Sequence, residues 1–305
     1  MSQPIVFTPG GAGALDFDVV WNDGTDQNEP PAQVHHLDEH TVVIRQSLRT
    51  STEGPFVVLL FGNDGAFLLD TGDESDPSVW PLRQVVDELV VDWLAKHPRE
   101  RYTLDVAHTH AHRDHTAGDD QFVDRPHTTV VGIEVGDVRE FFGLHDWPDG
   151  STTFDLGGRH LTVVPSPGHH ESAIGVFDPY SGFLFSGDTF YPGRLYVPDM
   201  AAFVATMDRL VEMAETGGIS HVMGCHIELD RRGREYPLGA REHPLEASPF
   251  IPAALMAVVR DAARSVADTP GVHRFDDFVI FNGNRFRDQI ALLIRSWRTR
   301  LRPQA

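Results

Sequence analysis

Apolar residues along the chain fall into short runs broken by turn-forming residues, and the spacing within each run separates strands from helices. Thr41–Gln46, Phe56–Phe61 and Ala66–Asp70 are dense in Val, Leu, Ile and Phe and predict strands, with Gly62-Asn63-Asp64-Gly65 as a tight hairpin turn. Between Trp80 and His97 the apolar positions Leu82, Val85, Val86, Leu89, Val90 and Leu94 recur at helical spacing and predict an amphipathic helix. Further strands are expected at Leu104–Ala107, Thr128–Val131, His160–Val164, Ala173–Phe177, Phe183–Phe185, His221–Gly224 and Phe278–Phe281. Helices are expected at Val135–Phe142, Ala201–Thr216 and Pro252–Ala267, with a last one carrying Ile290, Leu293, Ile294 and Trp297. The first forty residues, rich in Gly, Pro, Asp and Asn, read as an irregular arm lying on the domain.

Strands come in consecutive runs with helices between the runs, a pattern of sheets packed on each other with helices outside. At 305 residues the chain can bury a substantial core. The expected division is an arm over 1–40 and one domain over 41–305, with a C-terminal extension after about residue 230.

Composition removes several function classes. Lys+Arg 25 against Asp+Glu 45 gives a net charge of −20, a field that repels phosphate backbones and anionic lipid. Nucleic acid and membrane are therefore poor partners; a small-molecule substrate is expected, and a homodimer stays open. The N-terminus shows no basic stretch followed by an apolar one, and no apolar run reaches the roughly 18–20 residues of a bilayer span. Cys225 is the single cysteine, which rules out an intrachain disulfide and a thiolate-only metal site. A reducing cytoplasm is the expected location.

Histidine is the unusual residue, with 17 copies. The stretch from His108 to His115 holds His108, His110, His112, Asp114 and His115 just after a buried strand. Imidazole and carboxylate are ligands suited to zinc and similar divalent cations, and so dense a set has little structural use. His108 follows the strand in register and is expected to support the site or sit in the core, not to bind metal. Asp70 and Asp105 are the expected carboxylates for fixing imidazole tautomers. Cys225, a lone cysteine beside His226, is expected to be packing.

The run His110-x-His112-x-Asp114-His115 resembles the signature of the metallo-β-lactamase superfamily. Four further motifs follow the family's order: Asp70-Thr71-Gly72, Pro167-Gly168-His169, Gly187-Asp188 and Gly224-Cys225-His226. Together they cover roughly residues 40 to 230. The resemblance implies an α+β fold, a four-layer αβ/βα sandwich of two mixed sheets with outer helices. It implies two divalent metals, zinc first with iron or manganese as alternatives. His110, His112 and His169 would hold one, and Asp114, His115 and His226 the other, with Asp188 bridging. Pro167-Gly168 directly before it favours His169 over His170. The metals would supply a shared hydroxide near neutral pH, which Asp114 orients.

Fold does not choose a substrate. True β-lactamases of this fold generally lack the aspartate at the position of Asp188, which argues against antibiotic cleavage. The negative charge, with no basic stripe, argues against a nuclease. Tyr191, three residues after Asp188, resembles a tyrosine that lies near the substrate carbonyl in acyl-homoserine lactonases. Arg194 offers a guanidinium for a substrate carboxylate, with Tyr196 beside it; ordinary loop packing is the competing use of these residues. The chain also resembles hydroxyacylglutathione hydrolases up to about residue 230, and departs from them after it. Thioester or lactone hydrolysis is the expected activity. The alternatives are a mononuclear iron enzyme of the sulfur dioxygenase type using His110, His112 and Asp188, a β-lactamase, or a binding protein without catalysis.

Overall fold

The computed structural model describes residues 3–283, so the helix expected around Ile290 to Trp297 lies outside the described residues. A first sheet runs in the order β1 (Ala32–Asp38), β2 (Thr41–Gln46), β3 (Phe56–Phe61), β4 (Gly65–Leu69), β5 (Thr103–Ala107) and β6 (Thr128–Val130). Its first four strands pair antiparallel, and β4, β5 and β6 pair parallel. The second sheet is built from β7 (Thr152–Asp155), β8 (His160–Pro165), β9 (Ile174–Asp178), β10 (Phe183–Gly187), β12 (His221–Gly224) and β13 (Ile251–Pro252), with β10 and β12 parallel. A small third sheet joins β11 (Arg194–Val197) to β14 (Gly271–Arg274) and β15 (Val279–Asn282). The helices are α1 (Leu82–Lys96), the single turn α2 (Arg113–Thr116), α3 (Val135–Phe142), α4 (Met200–Gly217) and α5 (Leu255–Val266).

The layers follow from the two-residue period of the strands. On β3, Val58 and Leu60 face the second sheet and meet Val163, Ile174, Val176 and Phe185 in a central core. Their neighbours Val57 and Leu59 face outward, where Leu82, Val86, Val90 and Trp93 of α1 cover them. The second sheet repeats the arrangement, with Leu184 and Val222 turned outward onto Phe203 and Met207 of α4 and Met256 and Val259 of α5. Every residue of β2, β3 and β4 is buried, because both faces of these strands are covered. The result is the α+β, four-layer sandwich that the resemblance implies.

One expectation is corrected. Ala32–Asp38, placed in the irregular arm, forms β1 and pairs along its length with β2. It is an edge strand, and of its seven residues only Leu37 is fully buried. Its Gln and His side chains give no apolar run to read, while backbone pairing to β2 supplies the ordering.

The two sheets are also joined by a buried ion pair. Arg159, fully buried, donates to Asp178 at the end of β9 at 2.6 Å, and across the sheets to Thr41 Oγ1 at 2.7 Å and the Phe61 carbonyl at 3.0 Å. Burial opposes ionisation of Asp178, yet Arg159 and Ser181 hold its carboxyl below its ordinary value. Removing the guanidinium strands that charge, a loss of about 3–5 kcal/mol. Arg159→Ala is expected to lower the melting temperature by on the order of 10 °C in a calorimetric scan. An unchanged melting temperature would show that the pair carries no stability.

Candidate metal centre

Strand direction gathers the site. The C-terminal ends of β4, β5, β8, β10 and β12 lie along one edge of the sandwich, and each is followed by a residue of the cluster. Asp70 follows β4; His110 and His112 follow β5; His169 follows β8; Asp188 follows β10; His226 follows β12. Asp114 and His115 sit on the single turn of α2. Loops anchored on a rigid scaffold are where binding and catalytic side chains are commonly placed.

Two glycines allow the loops to close in. Gly187, at φ +54°, packs so tightly on Thr109 that a Cβ would lie 2.6 Å from the Thr109 Cβ. Gly168, at φ +143°, lies against the backbone of Phe203 in α4, where a Cβ would meet Cα at 2.6 Å. Both positions require glycine's freedom at positive φ and its lack of a side chain.

The side chains fall into two groups of convergent donors. In the first, His110 Nε2 lies 2.9 Å and His169 Nε2 3.0 Å from His112 Nδ1. In the second, Asp114, His115, Asp188 and His226 converge. Asp114 Oδ2 is 3.3 Å from both His115 Nε2 and His226 Nε2, while Asp188 Oδ1 is 3.6 and 3.2 Å from the same nitrogens. Donors about 2.0–2.2 Å from a tetrahedral cation stand roughly 3.3–3.5 Å apart, so this spacing fits zinc-like coordination. Among the described residues His115 Nε2 and Asp188 Oδ1 are buried with no hydrogen-bond partner, a state that normally costs free energy. A cation is the partner that would satisfy both. Asp188 also turns Oδ2 to within 3.6 Å of His169 Nε2, so its two oxygens face different groups.

The remaining ring nitrogens fix the tautomers. His115 Nδ1 donates to Asp70 at 2.9 Å, His169 Nδ1 to the Tyr196 carbonyl at 2.8 Å and His226 Nδ1 to the Glu53 carbonyl at 3.1 Å. His110 Nδ1 faces Thr109 Oγ1 at 3.3 Å. Each contact turns Nε2 into the cluster. His112 is the exception: it presents Nδ1 and its ring is exposed.

Electrostatics differ between the groups. Burial lowers His110 well below its ordinary pKa and lowers His169, leaving both neutral near pH 7. For His115 burial works the same way, but Asp70, Asp114 and Asp188 overcome it and raise the imidazole pKa well above normal. His226 is raised too, against burial, with Asp188 the leading cause. Burial disfavours the Asp114 and Asp188 carboxylates, yet these histidines hold both well below the usual carboxylate range.

The other expected residues divide. His108 is buried and faces Asp119 at 2.8 Å, outside both groups. Asp70 holds His115 as expected, whereas Asp105 is directed at Thr129 on β6. His170 turns to Ser172 and His169 takes the cluster position. Cys225 packs behind the site, where burial and Asp70 push its thiol up to about 12, so it stays protonated and donates to Asp70. A cavity of about 460 Å³ opens over both groups, lined by Glu53, Asp73, Arg113, Tyr191, Tyr196, Pro198 and Glu228 beside the cluster.

Tyr191 lines that cavity with its ring, but its hydroxyl donates away from it to the Arg194 carbonyl at 2.5 Å. Arg194 is buried behind the wall, and Glu228 accepts from both its backbone N–H and its guanidinium at 2.6 Å. It is thus committed to the protein rather than offered to a substrate carboxylate; burying a guanidinium requires such a partner. Tyr196 is half-buried and lines the cavity. Sequence reasoning missed Glu228 and Glu53. Glu228 stands two residues after His226, which was a usable signal; Glu53 sits in the β2–β3 loop with none.

The family model of the metallo-beta-lactamase superfamily matches residues 52–215. Human acyl-coenzyme A thioesterase MBLAC2 is 30% identical over 172 residues, 46% of this chain and 61% of that protein. A Synechococcus hydroxyacylglutathione hydrolase is 30% identical over 153 residues, 49% of this chain and 59% of that protein. The chain therefore spans about three fifths of the length of these relatives. Among solved structures, a metallo-beta-lactamase from Pontibacter korlensis superposes with a TM-score of 0.51 at 18% identity, covering 76% of this chain and 99% of that one. The FIM-1 enzyme from Pseudomonas aeruginosa gives 0.52 at 15%, covering 79% and 98%. At such identities the structural likeness is one of fold.

Two outcomes are expected. The raised pKa values keep His115 and His226 protonated near neutrality, so a cation must displace their protons and binds more tightly as pH rises. Calorimetry of zinc uptake by the chelated protein at pH 7 should show proton release in buffers of different ionisation enthalpy; none would contradict the assignment. Asp70→Asn is expected to weaken metal affinity by roughly 10–100-fold in competition with a chromophoric chelator, with the circular dichroism spectrum retained.

Proposed function

Because the chain belongs to the metallo-β-lactamase superfamily, we propose that it is a metal-dependent hydrolase of a small thioester or lactone. The observation that carries this reading is Asp188, whose two oxygens face separate donor groups. His110, His112 and His169 would hold one divalent cation and Asp114, His115 and His226 a second, with Asp188 shared. Bound there, the cations lower the pKa of a water and polarise the substrate carbonyl. Zinc suits these nitrogen and oxygen donors, and iron or manganese is the alternative.

This chain's residues do the rest. Asp114 is the half-buried member that also lines the cavity, and His115 and His226 keep it ionised. It accepts a proton from the incoming water and fixes that water's direction of attack. As the water oxygen bonds to the carbonyl carbon, the bond to sulfur or oxygen breaks, and the departing atom takes up a proton. The rings of Tyr191 and Tyr196 and Pro198 form the wall against which the acyl group lies. The names of the matched relatives, an acyl-coenzyme A thioesterase and a hydroxyacylglutathione hydrolase, support a thioester first.

The test is elemental analysis joined to a panel of thioesters, lactones and a cephalosporin. About two divalent metals per chain with thioester or lactone turnover is expected, and Asp114→Ala should lower kcat/KM by at least roughly 100-fold. One iron per chain with oxygen consumption on a persulfide would overturn the reading in favour of a dioxygenase.

A further inference from the structure

Resting on that reading of the site, we propose that the substrate carries an alkylammonium group, and that Glu53 selects it against the cavity wall formed by Tyr196. Apart from the donor groups, three carboxylates and one exposed guanidinium line the cavity: Asp73, Glu228, Glu53 and Arg113. Two of the carboxylates are already neutralised. Asp73 pairs with Arg113 at 2.5 Å and accepts from Ser51 Oγ at 2.7 Å. Glu228 pairs with Arg194 at 2.6 Å.

Glu53 is the surplus. Its backbone is fixed at both ends, the N–H donating to Ser51 Oγ at 3.1 Å and the carbonyl accepting from His226 Nδ1. Its carboxylate has no ion-pair or hydrogen-bond partner among the described residues and is exposed at the cavity. Burial raises the Glu53 pKa and His226 opposes that shift; in its ionised form the carboxylate repels an anionic group and attracts a cationic one.

Tyr196 supplies the second element. Its phenol stays protonated, because burial, then Glu228, and with them Glu53, raise its pKa. Glu53 and Tyr196 line the same cavity. A carboxylate beside an aromatic face is the combination that holds an alkylammonium, which draws on both the charge and the ring quadrupole. The net charge of −20 adds a long-range field of the same sign preference. Among the described residues, Arg113 in the wall and Arg194 behind it are both paired with carboxylates.

The test uses the metal-loaded full chain and two non-hydrolysable thioethers that differ only at one end, trimethylammonium in one and its neutral isostere tert-butyl in the other. Ligand-observed NMR should give the cationic compound a roughly tenfold lower Kd at low salt, shrinking as ionic strength rises. In Glu53→Gln the preference should fall to within about twofold, while Glu53→Asp retains part of it. Equal binding of the two compounds by the wild type, or a preference unmoved in Glu53→Gln, would overturn the proposal. The corresponding thioesters separate the premise from the inference. If neither ester is turned over but the binding preference holds and depends on Glu53, the hydrolase reading fails and the charge selection stands.

Discussion

The site depends on one buried carboxylate. Asp70 sits at the end of β4 with φ +70°, a conformation a non-glycine residue holds only when its surroundings fix it. It accepts from the Thr109 N–H at 2.7 Å, the Thr109 hydroxyl at 2.9 Å, His115 Nδ1 at 2.9 Å and Cys225 Sγ at 3.2 Å. Those donors come from the loop after β5, from α2 and from the segment after β12. A single side chain therefore ties three ligand-bearing segments to the first sheet. The Thr109 it holds in turn faces His110 and packs under Gly187, which leads into Asp188. Both donor groups thus share one anchor.

Much of this was legible in the chain because the chemistry is local. His110, His112, Asp114 and His115 lie within six positions, and His169, Asp188 and His226 each follow a strand whose apolar run is plain. The layers were legible for a similar reason: buried strands such as Phe56–Phe61 are continuously apolar. What the sequence hid was pairing. The β1 edge is specified by backbone hydrogen bonds, which leave no side-chain signature. The third sheet is hidden in the same way, since β11 and β15 are four residues each and some eighty positions apart.

The substrate wall shows a different limit. Tyr191, Arg194 and Tyr196 stand beside Asp188 in sequence, and proximity suggested that their polar groups face a ligand. Arg194 is instead the hub of an internal network, joining Glu228, the Tyr236 carbonyl and the Tyr196 hydroxyl. Its partner Glu228 lies thirty-four residues later. A guanidinium's role is decided by the carboxylate it finds in space, and no short window of sequence contains that information.

His112 has a consequence for how the centre assembles. The other imidazoles are each held by a second contact through Nδ1, to a carboxylate, a hydroxyl or a carbonyl oxygen. His112 points Nδ1 inward, and its Nε2 is bonded to nothing among the described residues. Four imidazoles are therefore oriented by the protein itself, and His112, exposed to solvent, is the ring without such a second contact. A cation held there would be the contact that fixes the His112 ring.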